Sequence, residues 1–242
     1  GLDHGIDFVA LSFITCAADI KRAKDFIASR GAGIPVIAKI ERREALNNID
    51  ELIAAADGIM VARGDLGVEV PLRRVPIEQK RIVAKCNAVG KPVIVAPQML
   101  ESMVYSPRPT RAEASDVANA ILDGADAIML SEETAAGSYP VQATGTMAGI
   151  AIEAADAIPY DAILVQKESG VLPQPDDAIS YAAVNMADQL QAKAILAFTT
   201  SGGTAMRVSK YRPRCPVLAI TPQEQVLRKL VLSWGLTPYL VA

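Results

Sequence analysis

The chain has 242 residues, 51% of them apolar, and a formal charge of -3. That is enough for one large domain or one and a half ordinary ones. The slight acidity, without a basic cluster, speaks against nucleic acid as a partner. No apolar run reaches the roughly 18 residues that span a bilayer and no signal peptide opens the chain, so no membrane partner is expected. The three cysteines, Cys16, Cys86 and Cys215, lie far apart in no metal-ligand spacing and read as reduced thiols of a cytoplasmic protein. With His4 the only histidine, acid–base chemistry falls to lysine, carboxylates, hydroxyls or a metal, and the spacing offers no zinc site.

In chain order, short apolar runs recur: "DFVALSF" from Asp7, "PVIAKIE" from Pro35, "GIMVARG" from Gly58, "PVIVAPQ" from Pro92 and "AIMLSEE" from Ala127. Each is short and rich in Val and Ile, the pattern of a strand buried on both faces. Between them lie helical stretches such as "AADIKRAKDFIASRG", closed by a glycine suited to a helix C-terminus. Strict alternation to about Ala155 predicts parallel βαβ units. Each run ends in polar residues: Ser12, Lys39 with Glu41, Arg63 with Asp65, Gln98, and Ser131 with Glu133. Several strands presenting chemistry at one end favour a TIM-type (β/α)8 barrel over an open sheet. Five runs of the eight make it a partial barrel, and the missing units are expected before residue 1.

Residues 158–175, "IPYDAILVQKESGVLPQP", carry three prolines and little periodicity and read as a linker after a barrel portion over 1–157. A smaller α/β domain is expected over 176–242. Its helix "DAISYAAVNMADQLQ" precedes a strand "KAILAFTT", a turn "SGGT", a second helix, a strand "CPVLAIT", a last helix and a strand from "TPYLVA".

Lys39 and Glu41, two apart at a strand end, project to the same side. A lysine there suits phosphate or enolate charge; the competing reading is a solvated ion pair. Asp65 follows the next strand, and two carboxylates without histidine or thiolate form a hard oxygen site for magnesium or manganese. Gly64 permits a sharp turn, and Asp65-Leu66 opens a short helix whose free N–H groups bind anions; an Asp N-cap is the structural alternative. "TRAE" from Thr110 has the capping-box pattern, with Arg111, Glu113 and Asp116 assigned to capping and packing against a neighbouring subunit. Thr199, Thr200, Ser201, Gly202, Gly203 and Thr204, between strand and helix, could cradle a phosphate or be an ordinary turn. The cysteines, Met99, Met103 and Trp234 read as core.

The motifs "VIAKIE", "GIMVARGDLGVEVP", "KPVIVAPQMLESM" and "SPRPTRAEASDVANAILDGADAIMLSEETAAGSYP" closely resemble the pyruvate kinase family in order and spacing, and the resemblance runs from Asp7 to the chain's end. It implies phosphoryl transfer from phosphoenolpyruvate to ADP with Mg2+ (or Mn2+) and K+, in a cytoplasmic glycolytic homotetramer. Lys39 then resembles the lysine that neutralises the transferring phosphoryl and the enolate. Glu41 and Asp65 resemble the metal-holding carboxylates, and the amides of Gly64 and Asp65 the cradle of the substrate carboxylate. The loop Thr199 to Thr204 resembles an effector-phosphate loop.

Pro97, in the substrate-binding set, departs from the family's usual threonine; it removes a hydroxyl implicated in protonating the enolate and a backbone donor. The family's first three barrel strands, its lid domain and its K+ ligands are expected before residue 1, and the rest of the effector domain after residue 242. Two other readings of the same residues stand beside this one. The first is another Mg-dependent lyase or aldolase acting on an enolate; the second is a catalytically incomplete relative that keeps assembly and effector binding.

Overall fold

The structure, a computed structural model, describes residues 1–241. It divides into two compact units. The first comprises Gly1–Cys86 and Val93–Ile158, the second Asn87–Pro92 and the chain from Pro159 on.

In the first unit strands and helices alternate: β1 (Val9–Leu11), α1 (Ala17–Ser29), β2 (Val36–Ile40), α2 (Arg43–Asn47), α3 (Ile49–Ala55) and β3 (Gly58–Ala62). Then come α4 (Arg63–Glu69), α5 (Val75–Val89), β4 (Val93–Ala96), α6 (Arg111–Leu122), β5 (Ala127–Ile128), α7 (Glu132–Ala135) and α8 (Pro140–Asp156). The strands form one parallel five-stranded sheet in the order of the chain, as a barrel arc requires. In the middle of the arc β3 and β4 are buried along their whole length, and so is β2 except for Lys39. The outer strands β1 and β5 are half-open, with Ala10 exposed.

The core joins Ile20 and Ile27 of α1, Leu52 of α3, Ile82 of α5 and Val117 of α6 to the strands. Met99, Leu100 and Met103, just past β4, are fully buried, each contributing about 1.5–3 kcal/mol of apolar burial. At the opposite end from the site, Asp57 and Asp126 each accept the first backbone N–H of a neighbouring strand, Val36 at 2.8 Å and Val93 at 3.0 Å. The predicted capping box forms: Thr110 Oγ1 accepts from Glu113 N at 3.2 Å, and Glu113 Oε2 accepts from Thr110 N at 2.7 Å. The Glu113 carboxylate also takes the N–H and hydroxyl of Ser102, tying α6 to the turn after β4.

The second unit holds α9 (Tyr160–Glu168), α10 (Pro175–Gln189), β6 (Ile195–Phe198), α11 (Gly203–Lys210), β7 (Val217–Thr221), α12 (Glu224–Leu230) and β8 (Leu236–Leu240). Its three strands are parallel and sequential. Ala197, Val217 and Ala219 meet Val184, Ala205, Val208 and Leu230 on one face, while Leu196 and Phe198 stand exposed on the other. Helix α9 corrects the reading of 158–175 as a linker. Behind Pro159 the run "YDAILVQKE" is made of good helix formers, and only Leu164 of it packs onto the core, too little to leave a periodic apolar stripe.

A buried polar group pins α10 to α11. Asp177, 3% exposed, accepts from Lys210 Nζ at 2.9 and 3.0 Å, from Tyr211 Oη at 2.7 Å and from Leu172 N at 2.7 Å. Burial works to raise the Asp177 pKa, and these donors together bring it below the ordinary carboxylate value. Burial and the adjacent carboxylate push the Tyr211 phenol well above its ordinary range.

Candidate active site

The C-terminal ends of the five strands bring the polar residues to one mouth. Glu41, one residue past β2, is 1% exposed, and its Oε2 accepts the backbone N–H of Phe13 at 3.0 Å. Its buried Oε1 forms an ion pair with the Lys39 ammonium at 2.5 Å. Lys39 Nζ also donates to Ser12 Oγ at 2.8 Å. Burial works to raise the Glu41 pKa, but the Lys39 charge and the Phe13 N–H outweigh it and hold the carboxyl below its ordinary value. It is therefore ionised at neutral pH.

Two non-glycine residues at this mouth adopt left-handed backbone: Phe13 at φ 58 and Gln98 at φ 57. Each conformation costs about 1–2 kcal/mol, and such strain concentrates where a site dictates the chain path. At Phe13 the conformation accompanies the amide's bond to Glu41, and the exposed ring lies under Arg42 at 5.4 Å. Between β3 and β4 the link is Arg63, which pairs with Asp116 of α6 at 2.7 Å and donates to Pro97 O at 2.9 Å. Between β4 and β5 it is Glu133, 1% exposed, which accepts from Leu100 N at 3.0 Å and Ser131 N at 2.8 Å. Neighbouring loops are thus stitched by single buried or half-buried side chains.

Asp65 sits in the first turn of α4, exposed, and no other described side chain pairs with it. The N-cap is Ala62, so the Asp N-cap reading gives way: Asp65 is the third residue of the helix and its carboxylate is left for something else. Gly64 is also helical and has no positive φ, so the sharp-turn reading is corrected too. A Cβ there would lie 3.6 Å from Pro97 Cγ and 3.7 Å from Gln98 Oε1, ordinary contact distances. The glycine opens space over the helix start beside Pro97 rather than relieving strain. The pairing of β2 with β3, Ile40 opposite Val61, sets Glu41 abreast of Ala62 at the entry to α4.

No cluster of three or more His, Cys, Asp or Glu suited to a metal occurs among the described residues. The strand ends carry two carboxylates, Glu41, buried and paired with Lys39, and Asp65, exposed. That donor set fits Mg2+ or Mn2+, which bind through one or two carboxylates and take their remaining ligands from water and substrate oxygens.

In the second unit Gly202 is left-handed at φ 93 and precedes α11. Its N–H is already engaged by Thr199 Oγ1 at 2.9 Å, and Gly203 N reaches Ser201 Oγ at 3.5 Å. Thr200 and Thr204 stay exposed. Sequence reading missed the Ser12–Lys39 bond and the bond of the Phe13 amide. It also placed Asp116 against a neighbouring subunit, where the structure pairs it with Arg63 within the chain.

Comparison with known proteins decides the family. The model of the pyruvate kinase barrel domain matches residues 1–144, and that of the pyruvate kinase alpha/beta domain matches residues 177–242. The chain belongs to the pyruvate kinase family. It is 52% identical over 239 residues to the pyruvate kinase of Clostridium acetobutylicum, covering 98% of this chain and 50% of that protein. It is 53% identical over 243 residues to pyruvate kinase 2 of a Synechocystis strain, covering 40% of it. The crystal structure of a pyruvate kinase from Cryptosporidium parvum superimposes with a TM-score of 0.96 at 42% identity, over 99% of this chain and 50% of that one. The chain thus spans half or less of the length of these relatives, and the partial (β/α)8 barrel followed by a smaller α/β domain is the pyruvate kinase arrangement over that span. The family assignment sets aside the lyase and aldolase readings.

Proposed function

We propose that the barrel mouth of this chain serves phosphoryl transfer from phosphoenolpyruvate to ADP, giving pyruvate and ATP in glycolysis. The observation that carries this reading is the Lys39 ammonium paired with the buried Glu41 carboxylate at the C-terminal end of β2, with Asp65 in the first turn of the helix that follows the neighbouring strand β3. Lys39 neutralises the charge of the transferring phosphoryl group and of the enolate left behind, with Ser12 holding its direction. Glu41 and Asp65 hold the divalent ion, which when bound supplies positive charge to the substrate oxygens. The N–H groups of Gly64 and Asp65, in the first turn of α4 where helix amides lack helical partners, receive the substrate carboxylate, with Pro97 alongside.

The K+ ion, the homotetramer, the cytoplasmic location and the effector phosphate at Thr199 to Thr204 come with the family resemblance and are proposed on it. The three free thiols agree with a reducing compartment. Pro97 favours a second reading, a relative slow in the last proton transfer. Pyruvate measured by a coupled assay tests the proposal: formation that needs both ADP and Mg2+ and is lost in Lys39→Met supports it. Absence of pyruvate, or pyruvate undiminished in Lys39→Met, goes against it.

A further inference from the structure

Beside α2 and α5 in the first unit lies a cleft of about 490 Å³ that the phosphoryl-transfer reading does not use. Arg43, Arg74 and Arg81 line it with Glu78, next to Leu46 and Val70. Glu78 is 5% exposed and already satisfied at both oxygens, by Arg74 Nη2 at 2.7 Å and by Arg81 Nε at 2.7 Å. Along one helix such spacings make ordinary surface ion pairs. Two features go beyond that. Arg43 enters from α2, and it is held there by a carbonyl, its Nη2 donating to Glu69 O at 2.8 Å. Arg81 likewise spends Nη2 on the Leu46 carbonyl at 3.2 Å. Three guanidiniums therefore line a cleft that holds one carboxylate, paired with two of them, and each guanidinium offers five N–H groups, of which the contacts above occupy one or two.

We infer that this cleft binds a small phosphorylated anion. The surplus of two positive charges suits a doubly charged phosphate. Guanidinium forks pair with phosphate oxygens two at a time, and the volume falls within the roughly 300–1,000 Å³ of small-molecule sites. Leu46 and Val70 give an apolar wall against which the carbon skeleton of such a ligand rests. Arg43 lies two residues beyond Glu41 in the chain, so an occupant sits next to the segment carrying a proposed metal ligand.

The probe is inorganic pyrophosphate, titrated calorimetrically into the 242-residue chain at fixed ionic strength. Saturable binding is expected, weakened at least about tenfold in Arg43→Gln and in Arg81→Gln and weakened by added salt. Arg43→Gln abandons no buried partner charge, and circular dichroism checks that both variants fold. A Ser201→Ala/Thr204→Ala chain separates this cleft from the hydroxyl-rich loop of the second unit, and its pyrophosphate binding must persist. Lack of saturable heat at millimolar pyrophosphate overturns the inference. So does binding that is unchanged in both folded arginine variants, or lost in the Ser201/Thr204 chain alone.

Discussion

The ammonium of Lys39 stands 2.5 Å from one Glu41 oxygen, while the other takes the Phe13 amide at 3.0 Å. One buried carboxylate thus links β1 to β2. Replacing Lys39 by Met leaves Glu41 buried without its ion-pair partner, at a cost of about 1–3 kcal/mol. The pH dependence has a definite sign. Since the folded pKa of Glu41 is lowered, its contribution is present above the ordinary Glu value near 4.3 and is lost as pH falls through the lowered one. Thermal melts from pH 7 down to pH 3 should show the Lys39→Met deficit shrinking in acid. A deficit constant with pH would separate Glu41 from the effect.

Glu133 offers a test of how the loops are held. Its truncation to Ala strands the N–H groups of Leu100 and Ser131, the former fully buried, and should cost about 2–4 kcal/mol. Amide exchange at these two positions should accelerate more than at the N-terminal ends of β2 and β4. Equal acceleration everywhere would point to global unfolding rather than a lost stitch.

Asp177 makes the corresponding prediction for the second unit, where the only tryptophan, Trp234, reports unfolding by its fluorescence. Asp177→Ala leaves the Lys210 ammonium buried and unpaired and should cost about 3–5 kcal/mol. In the parent chain Tyr211 has a raised folded pKa, so its contribution is complete below the ordinary value near 10 and is lost as pH climbs toward the raised one. Alkaline titration of tyrosine absorbance should show one phenol ionising only with unfolding. A Tyr211 that titrates with the exposed tyrosines would refute this account of the buried group.

At Pro97 the family's usual threonine can be restored. The Pro97 carbonyl is held by Arg63 at 2.9 Å, and that bond survives the change of side chain. Pro97→Thr should raise the rate of pyruvate formation by supplying a hydroxyl beside Gly64. An unchanged rate would show that the last proton transfer never depended on this position.

Much of the fold is legible in the sequence because burial on both faces leaves a mark. The runs of β2, β3 and β4 are nearly unbroken Val, Ile, Ala and Met, and the capping box at Thr110 declares itself by spacing. Lys39, Glu41 and Asp65 stand out as polar residues at the ends of such runs. Other features leave no local sign. Nothing in a phenylalanine or a glutamine signals the left-handed backbone of Phe13 and Gln98, which accompanies contacts far along the chain. Helix α9 buries too little of its surface to be periodic, and the partner of Asp116 lies 53 residues away. A capping role for Asp65, the structural alternative to a ligand, fails because the helix begins two residues earlier and Asp65 is its third residue.

The most direct test is Mn2+ binding to the chain, followed by electron paramagnetic resonance of the free ion. The account predicts binding that weakens at least about tenfold in Glu41→Gln and in Asp65→Asn, and that fades at pH values low enough to protonate Glu41. Mn2+ held equally well by both variants, or not held by the parent chain, would contradict the assignment of these two carboxylates as the metal site.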